Sequence, residues 1–292
     1  LLVVGHYGIS TDVGTSVDFY DLESYEYKDT ATVTAVTKLS DTVYMNNIKD
    51  VSSFIGSEYG VTVRTMADGT FDMYEVTLDR DVDILPYDWY IGTSTSSKNT
   101  VIKNTYFHDG PVRGILMRAP DSVIEDCTFE NISCSAIFVC LSRYWYEGPC
   151  ANNLTIKNNT FKNTVCGVPG SESSMGAIQA ITERFNDRKT PFETTHYSNI
   201  NITGNTIEHC QTAAIALINV KDSSVSGNTI IAPFTDWHGN PKIIDSEKSI
   251  GIKLDGFNSA VFAEYSKNVV INNNTFENIP SGVANVTTNF LP

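Results

Sequence analysis

Apolar positions in the later two thirds of the chain fall into a repeating template. Six segments align without gaps. The first three are Ile102-Lys103-Asn104-Thr105-Tyr106-Phe107, Ile124-Glu125-Asp126-Cys127-Thr128-Phe129 and Ile156-Lys157-Asn158-Asn159-Thr160-Phe161. Ile202-Thr203-Gly204-Asn205-Thr206-Ile207, Val225-Ser226-Gly227-Asn228-Thr229-Ile230 and Ile271-Asn272-Asn273-Asn274-Thr275-Phe276 follow. Each runs from an apolar residue through polar residues rich in Asn and Gly to a second apolar anchor. Asn and Gly accept the left-handed backbone needed to turn sharply between short strands.

A second element follows each anchor. It reads as Gly114-Ile115-Leu116, Ala136-Ile137-Phe138, Ala177-Ile178-Gln179, Ala214-Ile215-Ala216, Gly251-Ile252-Lys253 and Gly282-Val283-Ala284. In the tightest repeats the next anchor comes 22 or 23 residues on. Short strands at this period, with apolar residues in columns, predict a parallel β-solenoid whose coils bury their apolar residues by stacking. A β-propeller would need repeats of about 40 residues with four strands each.

The first 97 residues read differently. Val17–Tyr20, Ala31–Val36, Val61–Arg64 and Phe71–Val76 alternate or are β-branched, between turn-forming residues. That pattern predicts antiparallel strands with one wet face, closed as a small barrel or sandwich. Composition changes at the same place. Residues 1–97 carry 16 acidic and 5 basic side chains, and the remainder carries 18 and 15. All six Cys and 23 of the 25 Asn lie after residue 97. The expected organisation is therefore a β-barrel-like unit over 1–97 and a parallel β-helix of about six coils over 98–292.

Anchors at 107, 129, 161, 207, 230 and 276 are separated by 22, 32, 46, 23 and 46 residues. The excess falls in two sets. One set follows the second element, at 141–151, about 182–197 and about 256–266. The other precedes it, at about 166–175 and 232–249. Loops at the same corner of successive coils stack beside one another, so the two sets predict walls flanking a groove.

Their contents suit a sugar. Arg143-Tyr144-Trp145-Tyr146-Glu147-Gly148 combines three aromatics, a cation and a carboxylate. Glu183, Arg184, Asp187, Arg188 and His196 occupy the next loop, and Phe257, Phe262, Glu264 and Tyr265 a later one. The other wall offers Glu172, Asp236, Trp237, His238, Asp245 and Glu247. Aromatic faces stack on pyranose rings while charged groups hydrogen-bond the hydroxyls. A solvated Glu147 beside aromatics that merely cover their loop is the plainer alternative.

Val112-Arg113-Gly114-Ile115-Leu116, Ser135-Ala136-Ile137, Trp145-Tyr146-Glu147-Gly148 and Leu154 to Phe161 together resemble glycoside hydrolase family 110. His6-Tyr7-Gly8 followed by Val17–Tyr20 is similar to that family's entry into an inserted β-barrel. The resemblance implies a right-handed parallel β-helix and the inverting removal of terminal α-1,3-linked galactose. It points to Glu147 as the candidate catalytic carboxylate, with Arg113, Trp145 and Tyr146 as substrate-binding candidates; the loop contents add Glu183 and Asp187. It implies a glycan or oligosaccharide as partner and no cofactor. Two motifs depart from the family pattern. Pro111 stands where its first Arg would be, and Gly148-Pro149 replaces Ser-Gly after the Glu. The family's paired-Asp motif has no counterpart before His6, and the opening Leu1-Leu2-Val3-Val4 reads as a strand cut open, so a longer parent protein is expected.

Other chemistries find less in the sequence. The net charge of −14 argues against nucleic acid or an anionic membrane surface as partner. No run reaches the roughly 20 apolar residues of a membrane span, and the expected location is secreted, periplasmic or cell-surface. There is no Gly-X-Ser-X-Gly elbow, no His-Glu-X-X-His and no Cys-X-X-Cys, so no metal is expected. A Ca²⁺-dependent lyase would need clustered carboxylates on the sheet face, where only Asp255 is expected. A carbohydrate-binding or adhesion solenoid without catalysis is the alternative from another class. Cys134/Cys166 and Cys140/Cys150 could form disulfides or stay as reduced, buried small residues.

Overall fold

A computed structural model describes residues 1–6, 12–21, 24–39, 71–85, 88–92, 97–141, 150–167, 169, 174–182, 193–242 and 254–292. The described residues divide into two compact units, one ending before Ser97 and one starting there.

The first unit is an antiparallel sheet of β1 (Leu2–His6), β2 (Ser16–Tyr20), β3 (Tyr27–Lys38), β4 (Phe71–Leu78) and β5 (Trp89–Ile91), in the order β1-β4-β3-β2-β5. Alternation explains its packing. Val17, Phe19, Ala31, Val33 and Val76 are buried together, while their neighbours along each strand face outward. The expected strand Val61–Arg64 lies outside the described residues, and with it any closure of this sheet into a barrel.

The second unit is a parallel β-helix with three strands per coil. The first coil holds β6 (Val101–Lys103), β7 (Tyr106–Gly110) and β8 (Ile115–Met117). The second holds β9 (Ser122–Glu125), β10 (Thr128–Ile132) and β11 (Ile137–Leu141), and the third β12 (Leu154–Lys157), β13 (Thr160–Thr164) and β14 (Gly176–Thr182). A short β15 (Tyr197–Ser198) leads into the fourth, β16 (Ile200–Thr203), β17 (Thr206–Glu208) and β18 (Ala213–Ile218). The fifth is β19 (Val220–Ser226), β20 (Thr229–Ile231) and the first half of β21 (Ser259–Asn272). The last uses the second half of β21, then β22 (Thr275–Glu277) and β23 (Ala284–Phe290).

The predicted columns are the observed register. Phe107, Phe129, Phe161, Ile207, Ile230 and Phe276 pair in sequence down the second sheet. Ile102, Ile124, Ile156, Ile202, Val225 and Ile271 do so down the first. The rings of Phe107, Phe129 and Phe161 stack at 4.8 and 4.9 Å, each pair within 4° of parallel. Burying one such side chain stabilises by roughly 1.5–3 kcal/mol.

Left-handed residues recur every five positions through the constant part of each coil. Asn99, Asn104 and Asp109 have φ between 52° and 56°. Asp121, Asp126 and Asn131 repeat the spacing, as do Asn153, Asn158 and Asn163, then Asn199, Gly204 and His209. Asp222, Gly227 and Ala232, and finally Asn268, Asn273 and Asn278, complete the set. At Gly204 the φ of 67° combines with crowding, since a Cβ would stand 2.6 Å from Asn158 Oδ1.

Inside the first corner an asparagine ladder supplies acceptors to turn amides. Asn159 Oδ1 accepts from Cys127 N–H, Asn205 Oδ1 from Asn159, Asn228 Oδ1 from Asn205, and Asn274 Oδ1 from Asn228, all at 2.9–3.0 Å. Each Nδ2 also donates to a carbonyl of the preceding coil, such as Asn228 to Ile202 at 3.1 Å. Buried amides thus find partners at corners where strand ladders cannot serve them.

Two predicted second elements are corrected. Ile115, Ile137, Ile178 and Ile215 pair as expected, but the next member of the column is Val261, followed by Val286. Val261 and Val286 thus hold the places expected of Ile252 and Val283; Gly251-Ile252-Lys253 itself lies outside the described residues. A small residue before a β-branched one occurs in both Gly251-Ile252 and Ala260-Val261, and the template alone could not choose between them. The expected insertion at about 256–266 is instead mostly strand. β21 passes from the third sheet into the first without an added loop, and the fifth coil's excess lies wholly before it.

Candidate functional site

The described ends of two insertions meet at one edge of the third sheet. β11 ends at Leu141 and β14 at Thr182, and these two residues are paired. The chain returns at Leu154 and Ile200, which are also paired. The insertions 142–149 and 183–192 thus leave and rejoin the scaffold at the same corner of adjacent coils. The excess of the third and fifth coils enters at the opposite edge, between the second and third sheets.

The stems of the first pair are clamped by two buried side chains. Tyr197 Oη accepts from Leu141 N–H at 2.6 Å and donates to the Ile181 carbonyl at 2.8 Å. Burial holds its hydroxyl well above the usual tyrosine range, so it stays protonated and can keep donating. His196 places Nδ1 2.8 Å from Thr182 Oγ1 and Nε2 2.9 Å from Thr194 Oγ1. The sequence had put His196 in a sugar-binding wall, whereas it is buried and occupied by threonines. Tyr197 was not anticipated at all; a tyrosine in a two-residue strand gives no periodic signal.

The sheet face itself is mostly apolar and covered. Phe138, Cys140, Ile181, Ala216, Ile218 and Phe262 pack with Phe234, Leu254 and Phe257 from the fifth coil's insertion. Among them sits Gln179, fully buried, whose Oε1 accepts from Met175 N–H at 2.8 Å and lies 2.8 Å from Ser135 Oγ. Phe257 and Phe262 are therefore core residues and not an aromatic wall.

Glu264 also faces this layer and is 1% exposed. Its carboxylate accepts from Asp255 N–H at 3.3 Å and from Gly256 N–H. Burial raises its pKa, the nearby Asp255 carboxylate adds to the rise, and the two amides oppose it. Gly256 is needed for the approach, because a Cβ there would lie 2.6 Å from Phe262 Cβ and 2.9 Å from Glu264 Oε1. So closed a carboxylate fixes the Leu254–Phe257 turn, and leaves Asp255 at the exposed edge. Burial also raises the neighbouring Tyr265 hydroxyl, with further contributions from Glu264, Asp255 and Glu193.

Among the predicted site residues Arg113 is described. It is exposed, and its guanidinium carbon lies 5.5 Å from the centroid of the Phe138 ring. That contact places it at the first-coil end of the third sheet's outer face. Trp145, Tyr146, Glu147, Glu183 and Asp187 lie outside the described residues, as do Glu172, Asp245 and Glu247.

All six cysteines are free thiols. Burial pushes Cys150 and Cys210 up to about 12, so both stay protonated. Among the described residues no three His, Cys, Asp or Glu side chains group as metal ligands, and no helix is long and apolar enough to cross a membrane.

A family model described as a right-handed β-helix region matches residues 36–178 and 150–290. The chain belongs to that family. Over 86 residues the chain is 42% identical to α-1,3-galactosidase A of Bacteroides thetaiotaomicron. That match takes in 28% of this chain and 14% of the galactosidase, so it covers only a small part of that relative's length. The solved structure of the Streptococcus pneumoniae surface protein and adhesin PfbA is similar at 14% identity, over 67% of this chain and 68% of that one, with a TM-score of 0.32.

Proposed function

We propose that this β-helix binds the end of a glycan and hydrolyses a terminal α-linked galactose with inversion. The observation that carries the reading is the 42% identity over 86 residues with α-1,3-galactosidase A. The paired stems support it. Leu141 pairs with Thr182 and Leu154 with Ile200, so the segment that carries Trp145, Tyr146 and Glu147 and the one that carries Glu183 and Asp187 are attached at the same corner of adjacent coils. Arg113 lies at the same sheet face, within reach of the ring of Phe138. An outward, carbohydrate-exposed location, secreted or at the cell surface, belongs to the same proposal.

Inverting hydrolysis needs a carboxylic acid to protonate the leaving oxygen and a carboxylate to activate water, about 6.5–9.5 Å apart. In this reading Glu147 touches the substrate, and Arg113, Trp145, Tyr146, Glu183 and Asp187 hold the sugar. Glu264 is excluded from proton transfer because its oxygens are closed off by the Leu254–Phe257 turn. Glu147→Gln in the full protein is expected to lower galactose release from α-1,3-galactobiose at least about a hundredfold, the lower range for losing acid–base assistance. Unchanged turnover would remove Glu147 from the site, and no release by the unaltered protein would remove the hydrolase reading.

A further inference from the structure

One aromatic side chain stands in solvent on a loop built to hold it there. Trp237 is 63% exposed. Its loop, residues 234–242, is anchored at the base by Phe234, fully buried in the layer over the third sheet. Thr235 bridges to Pro241, and Thr235 Oγ1 donates to the Ala232 carbonyl at 2.6 Å. Asp236 then gathers the tip. Its carboxylate accepts from the Asn240 side chain at 3.0 and 3.2 Å, and from the backbone N–H groups of Asn240 and His238 at 2.9 Å. The His238 ring lies against the indole, its centroid 3.4 Å away and its plane tilted by 34°.

We infer that Trp237 is a stacking platform for a pyranose ring, a carbohydrate-binding site in its own right. An unsupported indole would fold down onto the surface and leave water, since burying it is favourable. Here the turn chemistry of Asp236 and the His238 ring keep it outward. Its surroundings decide the class of ligand. His238, Asn240 and Lys242 are polar, and Lys242 Nζ lies 3.7 Å from the Asp236 carboxylate. Protein partners anchor on aromatics set in well-packed, desolvated pockets. A single flat ring with a polar fringe suits instead the C–H face of a neutral sugar, whose hydroxyls the fringe can meet. The inference rests on the carbohydrate part of the proposed function and not on hydrolysis.

The test titrates the full protein with α-1,3-galactobiose and, separately, with cellohexaose, reading affinity by calorimetry and following tryptophan emission alongside. A saturable change with either sugar is expected. Trp237→Ala should weaken that binding about tenfold or more, the equivalent of ~1.4 kcal/mol, while Trp237→Tyr keeps most of it. Asp236→Asn should weaken it as well, by loosening the loop. No emission change with either sugar, or equal affinity in Trp237→Ala, overturns the inference. So does loss of self-association in Trp237→Ala with sugar affinity intact, which would make the ring a protein contact. Sugar binding through Trp237 without galactose release would sink the hydrolase reading and leave this one standing.

Discussion

Two carboxylates show how much the immediate surroundings of a residue decide. Asp236 and Glu264 both accept backbone N–H groups, yet their titrations move in opposite directions. Glu264 is buried, and removal from water outweighs its two amides. Asp236 keeps a small part of its surface in water, and the Asn240 amide, the loop N–H groups and Lys242 outweigh its partial burial and hold it at about 2. The folded-state pKa of Asp236 lies below its ordinary 3.8. Its contribution is therefore complete above that ordinary value and is lost as pH falls through about 2. The loop is expected to loosen across that window, read as a shift in Trp237 emission that Asp236→Asn does not show. Neither behaviour was legible beforehand, because residue type says nothing about whether water reaches a carboxylate.

Among the secondary-structure elements, the coil was legible and its edges less so. The Ile-to-anchor segments were read without gaps and pair in that register, since apolar columns and Asn or Gly turns repeat strictly. The turn signal extends beyond the Asn and Gly of the template. Left-handed residues three before, two after and seven after the leading apolar residue mark all three turns of the constant segment, and His209 and Ala232 hide the last of these in two coils. Without it, Gly251-Ile252 and Ala260-Val261 looked alike. The ladder of Asn159, Asn205, Asn228 and Asn274 also carries a measurable load. Asn228→Ala removes the acceptor of Asn205 N–H and a donor to the Ile202 carbonyl, both buried. A loss of about 3 kcal/mol in denaturant unfolding is expected, within the range for orphaned buried partners.

For the whole molecule, the scaffold brings together residues far apart in the chain. Tyr197 reaches back 56 positions to Leu141 and 16 to Ile181, joining the stems of two insertions. Tyr197→Phe keeps the ring and leaves an N–H and a carbonyl unmatched. It is expected to lose about 2 kcal/mol in denaturant unfolding and to lower galactose release through the loosened stems. Such a link could not be seen in sequence, because it joins two non-periodic segments through one hydroxyl. The candidate sugar residues, by contrast, were legible only as types at a corner. Aromatic, Arg and Glu content names a chemistry, while the irregular spacing that marks an insertion removes the periodicity that would place it.

The rhythm of one left-handed residue in five separates what this protein holds fixed from what it can vary. Between the first and third of those residues every coil has the same length, so its strands cannot drift out of step with their neighbours. Added chain appears only beyond that frame, at the two edges of a single sheet. New specificity can therefore be grafted there, one coil at a time, without renegotiating the stack beneath it.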